Sequence, residues 1–116
     1  MVHRPVIWLT PLNRVEFAHA IQQYVFRRLI TAVEAGQVWA DFEYDCTHGI
    51  WKTVDLPEQT WETGIDLARR HGPSLGVRTL DSLHVACALE LGAQSFWTFD
   101  ERQARLAEAA GLSTNP

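Results

Sequence analysis

The sequence of 116 residues predicts an α/β fold, helix-rich and organised as one domain over residues 1–116. Apolar residues recur at helical spacing in several segments, and each segment is bracketed by capping residues. Residues 95–99 make a compact apolar strand, and Asp100 directly after it is placed to cap another helix. A strand followed by a helix is the order in which an α/β sheet is built.

Taken in order, residues 6–9 are an apolar run that reads as a strand or an extended arm. Thr10 and Pro11 read as an N-cap with proline at the first helical position. Leu12, Val15, Ala18, Ile21, Val25, Phe26 and Leu29 then follow helical spacing. Thr31 and Glu34 stand three apart as a capping box, so a second helix starts there. Its spacing places Val33, Val38, Phe42 and Cys46 inward, and Gly49 closes it after His48. Residues 50–55 read as extended. Pro57 opens a third helix through Trp61, Ile65 and Ala68, stopped by His71, Gly72 and Pro73. Thr79 caps a fourth, with Leu80, Leu83, Val85, Ala86 and Leu89, closed by Gly92. The helix after Asp100 ends at Gly111.

Composition bounds the function. A hydrophobic fraction of 47% with 21% charged residues is globular. No apolar run approaches the roughly 20 residues that cross a bilayer, and residues 1–14 lack a signal-peptide core. No membrane role and a cytoplasmic location are therefore expected, and Cys46 and Cys87 make no disulfide framework. The net charge of −4 weighs against a protein that grips nucleic acid mainly by charge. The charge is uneven: +2 over residues 1–36, −4 over 37–77 and −2 over 78–116. Lys52 is the only lysine beside nine arginines, which suits bidentate phosphate binding, although codon bias gives the same ratio.

Three carboxylates stand where packing alone does not call for them. Glu16 sits near the start of the first helix, Asp81 in the first turn of a strongly apolar helix, and Asp100 at the end of an apolar strand. Each also has a plain structural reading: a favourable charge near a helix N-terminus for Glu16 and Asp81, an N-cap for Asp100. The five histidines include His19 and His84, each three residues after a carboxylate, but no zinc-binding spacing accompanies them. Cys46 and Cys87 read as buried small hydrophobes. Trp97 reads as core, and Trp39, Trp51 and Trp61 as candidates for an interface.

The stretch GVRTLDSLHVACALELGAQSFWTFDERQARLAEAAGL, from Gly76, resembles the C-terminal half of PIN-domain proteins of the VapC toxin ribonuclease type. The shared features are Asp81 opening a helix of small residues and a strand ending in Thr98, Phe99 and Asp100. TPLNRVEFAHAI resembles the family helix that carries an acidic residue, here Glu16. The resemblance implies a three-layer fold with a short parallel sheet flanked by helices, and a metal-dependent endoribonuclease. Glu16, Asp81 and Asp100 would hold Mg²⁺ or Mn²⁺, Thr98 would orient Asp100 or a water, and Arg78 and Arg102 would hold RNA phosphate, with Arg14 a weaker candidate. A bound cation would also make the acidic balance compatible with an anionic substrate.

The sequence departs from the family in one respect. PIN domains begin with a central strand that ends in Asp, and no acidic residue precedes Glu16 here. The expectation is a PIN-like domain truncated at its N-terminus, lacking that strand and its metal ligand, and weakened or inactive as a nuclease. Residues 6–9 or a second chain would fill the gap, so a homo-oligomer is expected. The competing reading is a non-catalytic module for protein association, with an antitoxin as one possible partner.

Overall fold

A computed structural model describes residues 7–98 and 100–114. His3, Val6 and Phe99, which enter the expectations above, lie outside the described residues. Five helices and four two-residue strands occur among the described residues, in two compact units, Met1–Asp55 and Leu56–Pro116.

In the first unit β1 (Trp8–Leu9) pairs in parallel with β2 (Lys52–Thr53), Trp8 opposite Lys52 and Leu9 opposite Thr53. Parallel strands need a crossover, and α1 (Pro11–Phe26) and α2 (Ala32–Thr47) supply it. Both helices begin as expected. Thr10 Oγ1 accepts the Asn13 N–H at 3.3 Å while Asn13 Oδ1 accepts the Thr10 N–H at 2.8 Å. Thr31 and Glu34 exchange the equivalent pair at 3.1 and 3.0 Å. Helix α1 closes in a Schellman motif: the Arg28 N–H bonds the Val25 carbonyl and the Leu29 N–H bonds that of Tyr24, both at 2.9 Å. The residue in the left-handed position is Arg28, with φ 60°, where glycine is usual.

Ile21, Ala35 and Phe42 are buried, and the rings of Phe17 and Trp39 lie 4.5 and 5.3 Å from that of Phe42. The inward stripe of α2 is thus Ala35, Trp39, Phe42 and Cys46, at helical spacing. Val33, placed inward by the sequence reading, is 84% exposed because it lies two positions, about 200°, from Ala35. Val38 is likewise exposed, and Cys46 is half-buried.

The second unit contains α3 (Thr60–Leu75), α4 (Thr79–Glu90), β3 (Ser95–Phe96), α5 (Glu101–Ala109) and β4 (Ser113–Thr114). Strands β3 and β4 pair in parallel, Ser95 opposite Ser113 and Phe96 opposite Thr114, across α5. Leu67, Val85, Ala86, Leu106, Ala107 and Leu112 form the buried core, with Leu75, Val77, Leu89 and Phe96 packed against it.

Several boundaries and faces differ from expectation. Helix α3 starts at Thr60, because Pro57 forms a turn whose carbonyl takes the Thr60 N–H at 3.0 Å. It continues through Pro73 to Leu75 and ends on Gly76, which has φ 62°. Pro73, in the last turn, withholds the donor that the Arg69 carbonyl would otherwise take. The buried face of α3 is Thr60, Gly64 and Leu67, so Trp61 and Ile65 are exposed. Gly64 explains the choice: a Cβ there would lie 3.4 Å from Leu83 Cδ2 of α4, so the small residue marks the side of close approach. The cap of α4 is Arg78, with Thr79 its first helical residue, and Leu80 is exposed. Strand β3 covers Ser95–Phe96 only, and Trp97 beyond it is 71% exposed rather than core.

Candidate functional site

The N-terminus of α4 and the loop from β3 into α5 meet in the second unit, and two carboxyl groups and a guanidinium converge there. Asp81 is the third residue of α4, and its side chain is 1% exposed. Its Oδ2 accepts the backbone N–H of Arg78 at 2.9 Å, closing the helix start. The same oxygen takes Arg78 Nε at 3.4 Å. Oδ1 of Asp81 is buried and has no hydrogen-bond partner among the described residues.

Asp100 is the N-cap of α5, as expected, but only one of its oxygens does that work. Oδ1 accepts the N–H groups of Arg102 at 2.9 Å and Gln103 at 3.4 Å. Oδ2 takes Arg78 Nη2 at 3.1 Å. Arg78 therefore links the two carboxylates, with its side chain 61% exposed. Thr98 ties the loop down: its hydroxyl accepts the Asp100 N–H and donates to Gln103 Oε1, each at 3.0 Å. Asp81, Asp100, Arg78 and Thr98 are thus brought together.

Arg102 is exposed in the first turn of α5 and touches Asp100 through its backbone N–H. Glu16 is a half-buried residue of α1, in the first unit. Arg14, in that same unit, bonds Glu43 at 2.7 Å and lies 5.9 Å from the ring centres of Trp39 and Phe42.

Sequence reasoning missed the polar lining of α4. His84, which stands out in the sequence by its spacing from Asp81, is buried on the helix, but Ser82 beside Asp81 and Thr60 of α3 are also buried, in a local pattern that reads only as apolar. Thr60 Oγ1 and Ser82 Oγ have no hydrogen-bond partner by distance and angle. Burial pushes the Cys87 thiol up, and the neighbouring Thr60 hydroxyl pulls it partly back.

A buried carboxylate oxygen with no donor is a costly arrangement, and an ion is one of the partners that resolves it. Carboxylate oxygens are the donors that Mg²⁺ and Mn²⁺ take, and Mg²⁺ is commonly held by one or two carboxylates with water and phosphate completing its shell. Asp81 and Asp100 fit such an ion in kind. Among the described residues, no group of three or more His, Cys, Asp or Glu is placed to hold a metal. No helix among the described residues is long and apolar enough to cross a membrane.

Comparison with curated proteins finds no match. A scan against known protein families matches residues 3–109 to the PIN domain. The helix-rich α/β architecture with short parallel strands agrees with that match. On these grounds the chain belongs to the PIN-domain family.

Proposed function

We propose that this chain is a divalent-metal-dependent nuclease acting on RNA, related to the VapC toxins of toxin–antitoxin systems and weak because its carboxylates are few. PIN domains are generally nucleases and typically depend on divalent metal. The observation that carries the reading is Asp81: a carboxylate 1% exposed, with one oxygen lacking any partner among the described residues, and joined through Arg78 to the Asp100 oxygen that does no capping. A helix start needs one carboxylate oxygen, not a second buried one.

Asp81 and Asp100 would hold Mg²⁺ or Mn²⁺, which when bound lowers the pKa of water and offsets charge on a phosphodiester. The capping bonds to Oδ1 fix the Asp100 carboxylate in rotation, and Thr98 fixes the backbone that carries it. Arg102, exposed in the first turn of α5, is placed to meet a substrate phosphate. Glu16 enters the reading on the resemblance alone, and Glu16→Gln tests it.

The experiment is cleavage of single-stranded RNA with Mg²⁺ or Mn²⁺, comparing the parent with Asp81→Asn. Metal-dependent cleavage by the parent and its loss in the variant support the assignment. Absence of cleavage by the parent, or equal cleavage by both, refutes it.

A second reading, a non-catalytic module that binds protein, has its own support. Tyr24, Phe26, Leu29 and Val33, at and beside the α1–α2 turn, are exposed, Phe26 to 83%. Such a patch suits a second copy of the chain or a partner such as an antitoxin. Analytical ultracentrifugation of the parent and Phe26→Asp separates the cases: a monomer in both at micromolar concentration rules out self-association.

A further inference from the structure

We propose that Arg78 is a resident counter-ion that competes with the metal for Asp81 and Asp100, and that metal binding releases its guanidinium. The inference rests on the metal-binding reading above. Arg78 Nε and Nη2 engage one oxygen of each carboxylate, at 3.4 and 3.1 Å. A cation shared by Asp81 and Asp100 would take Oδ2 of Asp100, the oxygen that Arg78 Nη2 engages, and would lie against the guanidinium that reaches Asp81. A guanidinium and a divalent ion cannot both occupy the space between them, since they are like charges competing for the same donors.

The three groups differ in their freedom to move. Asp81 is buried and pinned by the Arg78 backbone N–H, and Asp100 is pinned by the first turn of α5. The Arg78 side chain is 61% exposed, so it is the member of the trio that can rotate away into water. Its departure leaves the cap intact, because the bond that holds Asp81 comes from the Arg78 backbone. Both partners of Arg78 are long or exposed contacts, of the kind whose net strength is small. The arginine therefore neutralises the acidic pair while the site is empty of metal, without locking it. Once displaced, the guanidinium stands at the rim of the site, free to pair bidentately with a phosphate.

The test is Mn²⁺ binding to the full chain by calorimetry or by the loss of the free-ion EPR signal, with the parent, Arg78→Gln, Arg78→Lys and Asp81→Asn. Arg78→Gln keeps the backbone N–H and removes only the competing cation, and circular dichroism checks that it is folded. The expected result is Mn²⁺ affinity about 3- to 10-fold tighter in Arg78→Gln, with Arg78→Lys between it and the parent. Equal or weaker binding by Arg78→Gln, while Asp81→Asn still abolishes binding, overturns the competition and leaves the metal site standing. Absence of Mn²⁺ binding in the parent and in Arg78→Gln alike overturns both.

Discussion

Replacing Asp81 by Asn separates a structural carboxylate from a functional one by the sign of its effect on stability. The charge of Asp81 is held in a side chain 1% exposed. Effective desolvation of a buried ion costs several kcal/mol in folded proteins. Against this stand two favourable contacts. One is the Arg78 N–H bond at 2.9 Å, whose charge assistance exceeds that of a neutral bond by about 1 kcal/mol. The other is the Arg78 guanidinium, with a side chain 61% exposed, which contributes at most about 1 kcal/mol. Asparagine keeps the accepting oxygen and puts an amide where an oxygen already lacks a partner. With about 0.5 kcal/mol more for the charge at the helix N-terminus, the losses total about 2.5 kcal/mol against a relief of several, so Asp81→Asn is expected to stabilise the fold by about 1 kcal/mol. For a chain of this size that raises Tm by several degrees. The assay is thermal unfolding followed by circular dichroism in EDTA, so that metal does not contribute. A fall in Tm would refute the reasoning: the carboxylate would then earn its place as a cap, and the functional case would lose its carrying observation.

Four other outcomes are expected. Arg28→Gly relieves the left-handed backbone at φ 60° and should stabilise the fold by about 1 kcal/mol in chemical denaturation; an unchanged midpoint would count against strain at that turn. Leu106→Ala removes a side chain with no exposed surface from the second-unit core and should destabilise by about 2–5 kcal/mol, read the same way. Gly64→Ala, whose Cβ meets Leu83 at an ordinary 3.4 Å, should hold or gain stability through helix propensity, while Gly64→Leu should lose about 1–3 kcal/mol by overpacking; a large loss in Gly64→Ala would mean that α3 and α4 approach more closely than described. Cys87 should resist iodoacetamide in the folded chain far better than half-buried Cys46, as read by peptide mass spectrometry. Because burial raises the Cys87 thiol, the unfolded chain ionises it first: its contribution to stability is full below the ordinary thiol range near pH 8.5 and declines as pH rises above it.

What could be read from sequence alone follows a physical division. Helix starts at Thr10, Thr31 and Asp100 are local chemistry, a side chain bonding a backbone three residues away, and each occurs where the residue types place it. Buried faces are not local. On α3 the aromatic and β-branched residues Trp61 and Ile65 suggest an inward stripe, but the helix packs through Thr60, Gly64 and Leu67 because small size permits contact with α4. On α2 the stripe runs through Ala35, and Val33, about 200° away on the helix, faces outward. Strand β4 has two polar residues and exists only because β3 offers it an edge, so nothing in Ser113 and Thr114 announces it. The carboxylates Asp81 and Asp100 were legible as candidates, 19 positions apart. That Arg78 joins them was not, since the link depends on where α5 begins relative to α4.

The structural and functional readings of Asp100 first stood as alternatives, cap or ligand. They exclude one another only if the two duties need the same atom. Here Oδ1 serves the first turn of α5 and Oδ2 faces the Arg78 guanidinium. Asp81 divides its oxygens differently: Oδ2 both closes α4 and takes Arg78 Nε, and Oδ1 has no hydrogen-bond partner among the described residues. A cap fixes the carboxylate in rotation, and a carboxylate fixed in rotation presents its second oxygen in a set direction, which is what an ion-binding site requires. Capping is therefore the device that orients the pair. Asp81 and Asp100 bring two carboxylates to one arginine, and on the metal-binding proposal a cation held there would offset the charge that a phosphodiester meets.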